Sequence, residues 1–265
     1  MKTFLTKSAS VNDDKIFVKS SSEWAIGDTL GISPSYGNYA EYEQVTITAI
    51  NIDEGSVSIS PPLQFNHYGS DGPLTAGSYG KIDVNTYVAH LNRNIKIIPG
   101  PDVGWGVNVL VYGYLDQDNV RRDGSVRLSG IQIQDGGQYD TTSSALQFLN
   151  VQDYSSLVEK TSFINCKAWC INVDTVKNVT ITNNVFYNAW VFGIRALSMV
   201  NFEFTDNLLI GVTARPTVPY PGELVACFAS YNYVNPADIV KVSNNLCLGS
   251  QGHGFAVPHI RCSEL

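Results

Sequence analysis

Asn178-Val-Thr-Ile-Thr-Asn-Asn-Val-Phe-Tyr-Asn188 recurs as Asn201-Phe-Glu-Phe-Thr-Asp-Asn-Leu-Leu-Ile-Gly211 and again as Ile239-Val-Lys-Val-Ser-Asn-Asn-Leu-Cys-Leu-Gly249. Thr161-Ser-Phe-Ile-Asn165 fits the same template less closely. Aligned on Thr161, Asn184, Asn207 and Asn245, the copies stand 23, 23 and 38 residues apart, the last interval being 23 plus a 15-residue insertion. That insertion matches the Pro-rich excursion near 213–230. Apolar residues recur three and five positions before each aligned residue, at Val179 and Ile181, Phe202 and Phe204, Val240 and Val242, with Val158 as the earlier counterpart. Short alternating strands at a period near 23 suit one coil of a parallel β-helix. A single coil cannot bury its apolar face, so coils stack and like side chains align in ladders. Asn fits a turn in such a stack because it tolerates the left-handed conformation and its amide can bond to the Asn above and below. The β-branched, Asn-rich composition excludes helical-hairpin repeats. Arg127–Ile133 and Asn94–Ile98 read as earlier coils, one residue out of register with this template.

The rest of the chain agrees. Its 265 residues hold 44% hydrophobic but only 15% charged side chains, against about 25% in a typical globular protein. Net charge is −7, which argues against nucleic acid, since phosphate binding needs clustered Lys and Arg. No apolar run reaches the 18 or so residues of a membrane span. The first residues turn polar at Thr6-Lys7-Ser8, leaving no apolar stretch of signal-peptide length. The chain then reads as cytosolic or as an internal piece of a longer precursor.

Residues 1–90 read as short antiparallel strands. Lys15–Lys19, Trp24–Asp28, Gln44–Thr48 and Ser56–Ser60 are candidates, the last two alternating with period two. Gly69–Gly80 reads as loop. The expected fold is all-β: a right-handed parallel β-helix over 91–265 with an antiparallel strand cap over 1–90.

Trp24-Ala-Ile-Gly-Asp28, Glu43-Gln-Val-Thr-Ile47, Pro62-Leu63 with His67, Leu91-Asn-Arg-Asn-Ile-Lys-Ile97, Gly130-Ile131-Gln132-Ile133 through Gly137-Gln138, and Gly249-Ser250 with Gly254-Phe255 occur in that order. Together they resemble the segment that follows the G8 domain in fibrocystin and fibrocystin-L. The same segment occurs in the related hyaluronidases, the cell-migration-inducing hyaluronan-binding protein and its transmembrane relative. The resemblance implies a β-helix within the ectodomain of a large cell-surface or secreted protein. The hyaluronidase branch carries Tyr-Pro-Ile-His-Phe-His after its Gly-Gln, where this chain places Gln147 and Leu149. Neither side chain can act as a base or metal ligand as imidazole does, so the resemblance favours the non-enzymatic, fibrocystin-like branch.

Polysaccharide cleavage is the rival reading. It requires two carboxylates flanking one glycosidic bond, and Asp140, Asp153 and Asp174 are the candidates. Asp174, Asp206 and His253 fall at different phases of the 23-residue coil, which predicts different faces. A non-catalytic glycan-binding module is a third reading, with Tyr36, Tyr39 and Tyr42 as its aromatic patch. Asp116, Asp118 and Asp123 supply oxygen ligands but lack the Gly and terminal Glu of an EF-hand, and read as a solvated loop. His67, His90, His253 and His259 have no ligand spacing, so no metal or cofactor is expected.

Cys166, Cys170, Cys227, Cys247 and Cys262 contain no CxxC pair, so zinc is not expected, and an odd count leaves one thiol outside any internal pairing. Cys166 and Cys170 can pair with each other or with any of the other three. Asn178-Val179-Thr180 is the single glycosylation sequon. The expected role is structural or adhesive and extracellular, without catalysis. The expected partners are other protein chains of an assembly, self-association through terminal coils, or glycans.

Overall fold

In the computed structural model the described residues are 2–35, 38–71, 75–77, 80–82, 85–101, 105–138, 141, 143–216, 224–231 and 240–256. They contain strands and turns and no helix. The chain divides into two compact units, Met1–Asn92 and Arg93–Leu265.

The first unit is a six-stranded antiparallel sheet. Its strands bury one face, as in Glu43–Asn51, where Val45 and Ile47 are inside and Gln44, Thr46 and Thr48 outside. Trp24–Asp28 is a turn and not the expected strand. The Asp28 carboxylate accepts the Ala25 N–H at 2.8 Å and Gly27 has φ +91°, so the chain folds back before the strand Thr29–Ile32 begins. Within the stretch read as loop, Thr75–Gly77 pairs with Gly80–Ile82.

The second unit is a parallel β-helix, with the right hand that parallel crossover connections take. Each full coil crosses three ladders. One ladder stacks Val109–Leu115, Leu146–Leu149, the first part of Ile171–Thr182, the first part of Phe192–Thr205, Ala226–Ser230 and His253–Ala256. This is the first face. The second face stacks Arg127–Ser129, Ser156–Glu159, the later parts of the two long strands, and Val240–Ser243. The third runs Ile95–Ile97, Ile131–Gln134, Ser162–Cys166, Val185–Trp190, Leu208–Thr213 and Leu246–Ser250. Ile171 pairs with Ile194, Val179 with Phe202 and Val185 with Leu208, so the 23-residue period is the length of one coil.

Alternation in each strand sends every second side chain into the coil. Inward columns therefore form, such as Ile97, Ile133, Phe163, Phe186 and Leu209, with the Phe163 and Phe186 rings stacked at 4.9 Å. Burying each large apolar side chain contributes about 1.5–3 kcal/mol, and they form one continuous core.

The corners repeat as faithfully as the strands. Left-handed φ values recur in register at Lys160, Asn183, Asp206 and Asn244, and at Asp135, Asn165, Asn188, Gly211 and Gly249. Two further columns are Asn150, Thr175 and Ser198, then Asn178 and Asn201. The ladder residues Thr161, Asn184, Asn207 and Asn245 each follow a left-handed residue and are not left-handed themselves. That corrects half of the expected reason for Asn. The other half is seen: Asn184 Nδ2 donates to Asn207 Oδ1 at 3.0 Å, and Asn207 Nδ2 to Asn245 Oδ1 at 2.9 Å. The amide thus spends its bonding capacity inside the stack, while its neighbour makes the turn.

Candidate functional site

Among the carboxylates expected to carry catalysis, Asp140 lies outside the described residues. Asp153 is exposed on the segment joining the first and second faces, with Oδ2 3.9 Å from Arg121 Nε. Asp174 ends the stretch 171–174 of the first face and accepts a hydrogen bond from Thr175 Oγ1 at 3.0 Å. Asp153 shares Arg121 with Asp123, whose Oδ1 is 2.8 Å from Arg121 Nη2, and Asp174 has Arg195 on the next coil as its cationic neighbour. His253 starts the last strand of the face that also carries Asp174, but five positions away along the strand, so these two share a ladder against expectation.

The acidic run at 116–123 is held by the protein itself. Asp116 Oδ1 accepts the N–H groups of Asp118 and Val120, and Oδ2 that of Arg122 Nε. The Val120 N–H contributes most to holding the Asp116 carboxyl below its ordinary range. Asp123 is buried, which pushes its pKa up. The Arg121 guanidinium and the N–H groups of Gln152 and Asp153, both 2.6 Å from Oδ2, outweigh that and keep it low. Asp123 thereby anchors the turn between two faces. In the first unit, His67 is fully buried between Ser33 O at 3.0 Å and Glu43 Oε1 at 2.7 Å. Both ring nitrogens are thus within hydrogen-bond distance of an oxygen, and the ring ties Glu43 to the Ser33 carbonyl.

Of the three tyrosines expected to form a patch, Tyr36 lies outside the described residues. Tyr42 is half-buried, and burial raises its pKa, with Tyr39 adding to it. A more open aromatic pair lies elsewhere. Val109–Leu115 opens the first face, and its outward positions are Leu110, Tyr112 and Tyr114. Tyr112 and Tyr114 are 49% and 48% exposed, and their rings lie near parallel, 6.1 Å apart and 10° from coplanar. The alternation of Val109-Leu-Val-Tyr-Gly-Tyr-Leu115 carries this signal in the sequence, outside the patch expected at Tyr36, Tyr39 and Tyr42.

Further along the same face, the outward row from Leu110 continues through Gln147 and Asn172 to Arg195. The Arg195 guanidinium lies 4.6 Å over the Trp169 ring and 5.5 Å from that of Tyr231, and Nη1 donates to Asn172 Oδ1 at 3.1 Å. Burial lowers its pKa, and Asp174 and Tyr231 act against that. Trp169 belongs to a small apolar cluster with Val191, Phe192, Ala226 and Ala229, separate from the coil interior.

Two cavities stand apart from this face's outward row. One of about 310 Å³ lies where the stack ends, lined by Phe228, Val242, Ser243, Asn244, Asn245 and Phe255. One of about 210 Å³ lies at the Thr175 and Ser198 corner. Among the described residues neither is lined by a carboxylate. Among the described residues no three His, Cys, Asp or Glu side chains gather as a metal site would require.

Cys166 is bonded to Cys170, and Cys227 on the first face to Cys247 on the third face of the same coil. Cys262 lies outside the described residues. Asn178 of the sequon sits at a corner, with its Oδ1 accepting from Asn201 Nδ2 at 2.7 Å.

No protein-family model matches the chain, and no curated protein matches it. Among solved structures it is similar to the tailspike gp49 of Pseudomonas phage LKA1, at 12% identity and a TM-score of 0.25, over 88% of this chain and 38% of that one. It is also similar to the gp54 tailspike of Acinetobacter baumannii bacteriophage AP22, solved with a capsular saccharide, at 12% identity and 0.24, over 97% and 57%. The chain therefore spans well under two thirds of these proteins. At such scores the likeness adds nothing to what the strand registers establish.

Proposed function

We propose that this chain is an extracellular, structural or adhesive β-helix module of the fibrocystin-like kind, which holds glycans on its first face without cleaving them. The observation that carries the reading is the exposed, near-parallel pair Tyr112 and Tyr114. A sugar ring presents a face of C–H groups, and flat aromatic surfaces held rigid on a strand receive it at little entropic cost. The strand fixes the two rings two residues apart on one side of the sheet, so no loop ordering is needed on binding.

The carboxylates support binding over cleavage. A glycosidase needs an acid and a base about 5–9.5 Å apart across one bond. Here Asp153 is exposed on a connecting segment and Asp174 lies on the first face beside Arg195, so the two sit in different surroundings. The two disulfides support an oxidising compartment, as expected for a secreted or cell-surface protein. Fibrocystin-like identity and extracellular placement are part of the proposal and rest on the motifs quoted above.

The test is incubation of the purified protein with hyaluronan, chondroitin and pectic polymers, with product length read by chromatography, followed by passage over the same polymers immobilised. Retention with polymer length unchanged is expected. Shortened polymer would make this an enzyme, and passage without retention on every polymer would remove the glycan reading.

A further inference from the structure

On the glycan-binding reading above, we infer that Arg195 is a carboxylate-binding subsite and that the glycan held on the first face is an acidic one, carrying uronate groups. The guanidinium is fixed from several sides: the Trp169 ring at 4.6 Å, the Tyr231 ring at 5.5 Å, and Asn172 Oδ1 accepting from Nη1 at 3.1 Å. Such a clamp removes the rotamer freedom that an exposed arginine loses on binding. Guanidinium carries five N–H donors, and this one has a single side-chain acceptor in Asn172.

The ring beneath the guanidinium carries a second donor at its edge. Trp169 is only 7% exposed, and its indole N–H is buried with no hydrogen-bond acceptor. A buried donor left unmatched costs about 1–3 kcal/mol, and a small side-chain shift that opened the indole edge to a ligand oxygen would relieve it. Donors without acceptors select an oxyanion, and a planar carboxylate matches the guanidinium fork through two parallel bonds.

Position ties this subsite to the tyrosines. Arg195 lies three strands from Leu110 in one outward row, and Tyr112 is two residues beyond Leu110 on the same side. At about 4.8 Å per strand, the separation across the coils is about 14 Å, within reach of one short oligosaccharide crossing the face. Asp174, on the preceding coil, stabilises the Arg195 charge in the free protein. It therefore competes with an incoming carboxylate.

That competition gives the test two signs. The probes are oligogalacturonate and its fully methyl-esterified form, which shares the backbone and lacks the charge, with oligoglutamate as a non-glycan polyanion. The native protein is expected to bind the free acid more tightly than the ester. Arg195→Gln should weaken acid binding about tenfold and ester binding by much less, so that the preference for the acid is lost. Asp174→Asn, which removes the competitor, should tighten acid binding several-fold. Equal affinity of the native protein for acid and ester overturns this inference while leaving glycan binding intact, and no affinity for either overturns both. Weaker acid binding by Asp174→Asn, or oligoglutamate binding as tightly as the oligosaccharide, also overturns it.

Discussion

Asn184 donates its side-chain N–H to Asn207 Oδ1 over 3.0 Å, and that same oxygen accepts the main-chain N–H of Asn184 at 2.9 Å. Asn207 repeats both bonds to Asn245 one coil further on, and its Nδ2 also donates to Ile181 O at 3.1 Å. One buried side chain thus satisfies polar groups on two coils.

Asn207→Ala should therefore strand the Asn184 main-chain and side-chain N–H groups and the Ile181 carbonyl together. At about 1–3 kcal/mol for each buried group left unmatched, the loss should be at least about 3 kcal/mol by denaturant unfolding. Asn201→Ala, at the exposed corner bond to Asn178, should cost less than about 1 kcal/mol.

Asp123 should make the β-helix acid-sensitive. Its pKa is lowered in the folded protein by Arg121 and two main-chain N–H groups working against burial. A depressed carboxylate contributes stability that is complete above its unfolded pKa and is lost as pH falls through the folded one. Stability should be flat from neutral pH to about 4 on this account and drop below it. Asp123→Asn should lower stability at pH 7 and flatten the acid limb, as read by thermal unfolding across pH.

The disulfides should contribute unequally. Cys227 and Cys247 close a loop with a sequence separation of 20, Cys166 and Cys170 one of only 4. On the chain-entropy model the longer loop is worth about 3 kcal/mol and the shorter about 2 kcal/mol. Replacing Cys227 and Cys247 together by alanine should lower the unfolding midpoint more than the same change at Cys166 and Cys170.

His67 and Glu43 form a buried pair whose second acceptor contacts, from Gln64 N and Phe65 N to Glu43, tie a loop to the sheet. His67→Ala leaves the buried Glu43 carboxyl and the Ser33 carbonyl without the ring that bridges them, at about 1–3 kcal/mol for each unmatched group. Proteolysis should then cut residues 1–92 well before the β-helix.

The coil architecture was legible because its cause is periodic: Val179, Phe202 and Val240 must each face the same core, so they recur at fixed intervals. The left-handed corners were legible only in part. Lys160, Thr175 and Ser198 are ordinary residues whose turning role is set by the coils above and below. The candidate site was mostly hidden, for two reasons. Tyr112 and Tyr114 sit on a coil closed by the hairpin partner Arg121–Asp123, outside the 23-residue repeat. Arg195 is exactly one coil after Asn172, but Trp169 and Tyr231 reach it from 26 residues before and 36 after. Only the stacking of three coils brings them together.

The most direct measurement is affinity electrophoresis of the native protein and a Tyr112→Ala, Tyr114→Ala double variant in gels loaded with acidic polysaccharide. Retardation of the native protein, lost in a variant with an unchanged melting temperature, is the predicted result. Equal retardation of both, or of neither, would contradict a glycan-binding role for the first face.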